Sequence, residues 1–298
     1  MRGSQWLASG QREGHGRRPS GSGYNSERLG AHRGRWTHLL GLFFLLLAGL
    51  PPGQAAPPDF GVQPNLIIPR VSRPPALEDF LTMKPNGKAE GQLAKVEGFL
   101  QREPSDGAPA TQRTEAYIGY DDKNLYVVFV CFDQEPEKIR ARMVPRENIF
   151  GDDLVEVMLD TFHDQRRAFG FVANPHGIQW DGLWTEGQGW DGSFDTLWHS
   201  KGQRTPDGFV VWMAIPFKSL RFTATPEQTW GIVFLREVPR NNEESFWPRV
   251  SSRVEGRLNQ AATLQGLENI SPGRNVQLIP FGVFRSFRAL DTRDPLAP

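Results

Sequence analysis

Short apolar runs, each ended by a cluster of turn-forming residues, recur along much of the chain. Glu115–Gly119 leads into the turn Tyr120-Asp121-Asp122-Lys123-Asn124 and then into Leu125–Phe132. The second run is apolar on both faces, which predicts a central strand. Leu154–Leu159 reads as a strand with Glu156 interrupting an otherwise apolar run. Arg167–Ala173, the turn Asn174-Pro175-His176-Gly177 and Ile178–Trp180 follow. Gly208–Ile215, Trp230–Glu237 and Ser245–Trp247 complete the set. Helical periodicity is scarce. Pro136–Arg142 and Pro216–Leu220 predict short helical turns, and no helix exceeds about 10 residues, short against the usual mean. Many short strands with Pro/Gly turns in roughly 200 residues predict an all-β fold, a β-sandwich or jelly roll. No repeat of fixed period is present.

Composition agrees with that pattern. The 298 residues hold 24 Pro, 31 Gly, 20 Phe and 9 Trp, a poor mix for a helical bundle. The single cysteine, Cys131, excludes an intrachain disulfide framework and a multi-Cys zinc site. It sits inside the apolar run Leu125–Phe132, which predicts a buried thiol. Lys plus Arg and Asp plus Glu are 34 each, so the formal net charge is zero. That zero is an average over unlike parts. Residues 1–55 carry seven Arg and two acids, leaving 34 − 7 = 27 basic and 34 − 2 = 32 acidic residues, a net −5, in 56–298. A broad nucleic-acid surface is thereby excluded.

The N-terminal portion reads as an address. Residues 39–50, LLGLFFLLLAGL, are too few to span a bilayer, which takes about 20. Arg33 and Arg35 precede the run, Pro51 and Pro52 break it, and Gly53-Gln54-Ala55 supplies small residues at the positions a signal peptidase reads. Residues 1–55 are therefore expected to be a basic tail plus a secretory signal peptide. The protein is expected in the periplasm, the outer membrane or outside the cell. Residues 56–74 read as a Pro-rich linker, 75–272 as the β-sandwich, and 273–298 as the first strand of a truncated C-terminal domain.

Tryptophan placement points to chemistry. Seven of the nine lie between Trp180 and Trp247, and four fall in the Gly-rich stretch 180–198, including Trp184 and Trp190. The stretch reads as loop, where a flat aromatic can stack on a pyranose ring while nearby Asp, Asn, Arg and Glu bind its hydroxyls. Burial as core or loop anchors is the competing reading. The acidic segment 150–164 leaves several readings open: calcium bound through Asp152 and Asp153, half of a glycosidase carboxylate pair, a ligand-binding Glu156, or a turn cap. No GxSxG, HExxH or Walker loop is present, and Gly187-Gln-Gly-Trp-Asp-Gly192 matches GxGxxG by chance within a Gly-rich loop.

Together these blocks resemble the family 9-like carbohydrate-binding domain found at the N-terminus of large exported bacterial proteins. In those proteins a domain resembling an outer-membrane β-barrel follows. The resemblance rests on Phe99–Gly107, Thr114–Asp121, Asn124–Asp133, Asp152–Asp160, Phe171–Gly177, Ile215–Phe222 and Trp230-Gly231. It implies a β-sandwich that binds sugar between two aromatics, with a structural calcium. Its first aromatic stands six residues before a strand Glu. Here Phe150 stands six before Glu156, in place of the usual Trp. Trp247, after Asn241 and Asn242, matches the second aromatic, and Arg167 the basic hydroxyl ligand. The resulting expectation is an exported, non-catalytic module that engages a polysaccharide or its sugar termini in carbohydrate catabolism, alongside a barrel domain of the same chain. The ligand residues would be Phe150, Glu156, Arg167, Asn241, Asn242, Trp247, Trp184 and Trp190. The alternatives are a structural module that packs on a barrel and binds no sugar, and a glycoside hydrolase of O-glycosyl bonds.

Overall fold

The computed structural model describes residues 63–273 and 282–286. The expected signal peptide lies outside the described residues, as does most of the expected C-terminal strand. Gly282–Ser286 carry no regular structure. Fourteen strands follow in order: β1 (Asn65–Ile67), β2 (Ala94–Val96), β3 (Leu100–Glu103), β4 (Thr114–Tyr120), β5 (Asn124–Phe132), β6 (Leu154–Asp160), β7 (Arg167–Ala173), β8 (Gln179–Thr185), β9 (Gly189–Asp191), β10 (His199–Thr205), β11 (Gly208–Pro216), β12 (Glu227–Val238), β13 (Glu243–Trp247) and β14 (Ala262–Glu268). The described residues also hold six short 3₁₀ turns and no α-helix.

The strands form two sheets, as expected for a sandwich. The A-sheet runs β1-β14-β12-β6-β7-β8-β9, with β13 pairing both β12 and β3, and the B-sheet runs β10-β11-β5-β4-β2. Every pairing is antiparallel except β1 with β14. Side chains alternate faces along each strand. Val155, Val157, Leu159, Phe171, Ile232 and Phe234 of the A-sheet meet Ile118, Val127, Phe129, Phe209, Val211 and Met213 of the B-sheet in one buried core. Each such fully buried side chain contributes about 1.5–3 kcal/mol. Cys131 lies in this core, and burial pushes its thiol up to about 12, so it is inert. The β4–β5 turn forms because Asp121 Oδ1 accepts from the backbone N–H of Lys123 and Asn124, both at 2.8 Å.

A buried charge cluster lies at one edge of the core. Arg236 reaches Asp133 at 3.4 Å and donates to the Phe132 carbonyl at 2.8 Å. Arg240 binds both oxygens of the same carboxylate, at 2.7 and 2.9 Å. Two guanidinium groups on one carboxylate offset most of its burial cost.

Two sequence expectations change here. The described part of the Pro-rich linker is docked rather than free. β1 pairs with β14, the Val71 N–H donates to the Tyr120 carbonyl at 2.7 Å, and just past the linker the Trp212 indole N–H donates to the Pro75 carbonyl at 2.8 Å. The Trp-rich stretch is loop only in its last part, 192–198 with Trp198: β8 and β9 form a hairpin that carries Trp180, Trp184 and Trp190.

Candidate functional site

The site is built on the outer face of the A-sheet, the face turned away from the B-sheet. Register sets its rows. Phe246, Leu235, Glu156, Val172 and Trp180 lie side by side across β13, β12, β6, β7 and β8. The neighbouring row brings Glu244 beside Glu237 beside Leu154. Two rows on from Glu156, Ala168 pairs with Trp184, which pairs with Trp190.

Two glycines admit the indoles. A Cβ at Gly170 would lie 2.2 Å from Cη2 of Trp190, and one at Gly182 would lie 2.4 Å from Cη2 of Trp180. The rings therefore lie against the sheet backbone itself. Edge-to-face contacts link them in sequence: Phe150 to Trp180 at 5.4 Å, Trp180 to Trp190 at 5.1 Å, and Trp190 to Trp184 at 5.3 Å. Such pairs add about 0.5–1.5 kcal/mol each beyond area burial. Phe150 is 58% exposed and forms the open end of the array.

Glu156 sits among apolar neighbours and is only 6% exposed. Its Oε1 has no hydrogen-bond partner. Burial, with Glu244 and Glu237 nearby, pushes its carboxyl up to about 7 against the pull of Arg257. Glu237 is likewise pushed up to about 7 by burial, Glu244 and Asp153. Arg257 lies over this face. Its guanidinium stacks 4.6 Å from the Trp184 ring and 5.5 Å from the Phe246 ring, and reaches Glu244 at 3.9 Å. The β8–β9 hairpin holds it there: Glu186 Oε1 accepts from the backbone N–H of Arg257 at 2.7 Å and of Leu258 at 2.6 Å. The Trp184 indole N–H is buried without a partner.

Four of the residues expected from sequence meet on this face or at its edge: Phe150, Glu156, Trp184 and Trp190. The others do not join them. Trp247 pairs with Phe234 and points between the sheets, its ring 6.0 Å from that phenylalanine. Its neighbour Phe246 takes the outer face instead, because alternation along β13 turns one inward and the other outward. Arg167 alternates with outward Ala168, so it lies on the opposite side at the start of β7. Asn241 donates to Thr111 Oγ1 at 3.0 Å, and Asn242 takes a left-handed turn conformation at φ 50°. Both are turn residues between β12 and β13. Sequence reasoning missed Phe246, Glu237, Glu244 and Arg257 as neighbours of Glu156. Sheet register joins the first three, and Glu186 holds the backbone that carries Arg257 beside them.

Asp152 and Asp153 do not fit a calcium site. Asp152 accepts from Arg142 Nε at 2.6 Å, the Arg142 N–H at 3.1 Å and Asn174 Nδ2 at 3.0 Å, which engages both its oxygens. Asp153 accepts from the Arg140 N–H at 2.9 Å and faces the Arg240 guanidinium at 3.9 Å. A cation between these arginines would meet like charge. Among the described residues no three His, Cys, Asp or Glu side chains converge on a metal-sized point. Asn174 belongs to the same framework: its Oδ1 accepts from the N–H of His176 and Ile178, both at 3.0 Å, shaping the Asn-Pro-His-Gly turn. A separate recess of about 290 Å³, lined by Asp122, Lys123, His199 and Lys218 among others, contains none of the expected ligand residues.

The family model for carbohydrate family 9 binding domain-like proteins matches residues 94–243. The chain belongs to this family. The family 9-like domain matches no curated protein. Among solved structures it is similar to a presumed carbohydrate-binding protein from Bacteroides uniformis, with 12% identity and a TM-score of 0.53 over 68% of this chain and 99% of that one. At that identity the likeness shows the fold alone. A family 9 carbohydrate-binding module from Caldicellulosiruptor kristjanssonii in complex with glucose gives 13% identity and a TM-score of 0.47, covering 72% of this chain and 100% of that one. The same source's module in complex with cellotriose gives 12% and 0.43, covering 73% and 100%.

Proposed function

We propose that the family 9-like domain is an exported, non-catalytic carbohydrate-binding module whose ligand face is the outer face of the A-sheet. One observation carries the reading: an aromatic array, Phe150–Trp180–Trp190–Trp184, borders a buried carboxylate whose Oε1 has no partner. Aromatic faces beside an unsatisfied acceptor suit a sugar ring, which offers C–H faces and hydroxyl donors together. A non-catalytic role is supported by the family itself, which is one of binding domains. Export is supported by the apolar run 39–50 and its flanks. In that setting the module tethers polysaccharide for degradation or uptake, beside a barrel domain of the longer protein.

Affinity electrophoresis and isothermal titration against a glycan panel test the proposal. Binding that weakens at least tenfold in Trp184→Ala supports it, and a folded chain that binds no glycan refutes it. A second reading, a structural module that binds no sugar, has its own supporting observation. Phe150, Glu156 and Trp247 do not share a cleft, and apolar clusters cover much of the outer face. It predicts no binding to any glycan.

A further inference from the structure

We propose that the outer face of the A-sheet selects a sugar bearing a protonated amine over a neutral sugar of the same length. The proposal deepens the carbohydrate-binding reading and rests on it. Three carboxylates from three adjacent strands share this face: Glu156 on β6, Glu237 on β12 and Glu244 on β13. Arg257 is the basic side chain that couples to Glu156, and its ion pair is with Glu244, at 3.9 Å. Among the described residues neither Glu156 nor Glu237 makes an ion pair. Glu156 is more than nine-tenths buried, and its Oε1 is turned into this cluster with no partner. Above about pH 7, where Glu156 and Glu237 have lost their protons, the face thus holds more negative charge than it neutralises.

The aromatic rings agree. Trp184 and Phe246 already hold a cation between them, the Arg257 guanidinium. A ring face that attracts a guanidinium attracts an ammonium by the same quadrupole. A neutral sugar leaves Glu237 uncompensated and Glu156 with only the pull of Arg257, and an anionic sugar adds like charge. An ammonium placed against Glu237 and Glu156 supplies the missing donor and the missing charge at once. A hydrogen bond to a charged group of this kind favours the amine by about tenfold or more.

The test is isothermal titration of the intact chain with glucosamine oligomers, their N-acetylated forms and neutral gluco-oligomers of equal length, each at low and high salt. The expected result is at least tenfold tighter binding of the glucosamine oligomer. That preference should shrink with salt, and should disappear in Glu156→Gln and Glu237→Gln variants whose circular dichroism matches the parent. Equal affinity for amine and neutral oligomers overturns the proposal and leaves the carbohydrate reading standing. So does a preference that survives both substitutions. Failure of every glycan to bind overturns the carbohydrate reading itself.

Discussion

Replacing Glu156 with glutamine should stabilise the fold at alkaline pH and leave it little changed in acid. The carboxyl is buried without a hydrogen-bond partner for Oε1, and its folded-state value rises from an ordinary 4.5 to about 7. An acid raised in this way holds its proton more tightly when folded. Its penalty is absent below the unfolded value and grows as pH rises from about 4.5 to 7. Above that range it is fully present. The gap of about 2.5, at about 1.36 kcal/mol per pH unit, is about 3 kcal/mol. Glutamine keeps the shape and removes the charge. Urea unfolding of the parent and of Glu156→Gln at pH 5 and pH 8.5 measures the difference directly. A gain of about 3 kcal/mol at the higher pH, or about 6–12 °C in Tm, is expected, with little change at pH 5. The same difference at both pH values would refute the reasoning, because it would mean that Glu156 titrates alike in the folded and unfolded states, as a solvent-exposed carboxyl does.

Gly170→Ala puts a Cβ 2.2 Å from Trp190 and should displace that ring, costing about 1–3 kcal/mol and shifting tryptophan fluorescence. Trp247→Ala should lower stability by up to about 3 kcal/mol in thermal melts, yet leave glycan affinity unchanged in the folded fraction, since its ring lies between the sheets. Asp133→Ala strands the buried Arg236 and should cost about 3–5 kcal/mol in chemical denaturation. Chelation with EDTA should leave the melting temperature unmoved, because Asp152 is committed to Arg142 and Asn174.

The fold was largely legible because short apolar runs ended by turn-forming residues mark strands and their ends. Leu125–Phe132, apolar on both faces, reads as a central strand, and it is the middle strand of the B-sheet. β10 escaped notice because His199–Thr205 contains no apolar residue to mark it. As an edge strand it keeps Lys201 and Arg204 in view of solvent, which blunts edge pairing. The Trp-rich stretch was misread as loop for the opposite reason. Its glycines looked like turn punctuation, but Gly182 is a strand position emptied to seat the Trp180 indole. The residues of the proposed ligand face were legible where they share a strand or abut one, as Phe150 and Glu156 do. Trp247 was misplaced by a single step of alternation, which spacing counted from Asn242 cannot reveal.

The parallel pairing of β1 with β14 has a mechanical consequence. Pro64 and Thr263 meet at one end of the ladder, and Gln265 and Ile68 at the other. The polypeptide therefore enters at the start of one strand and leaves beyond the far end of its neighbour. Tension along a longer chain slides these strands past each other and strains their hydrogen bonds together, instead of peeling them apart one by one. A domain pulled through the chain on both sides of this pair would therefore be loaded in a resistant direction.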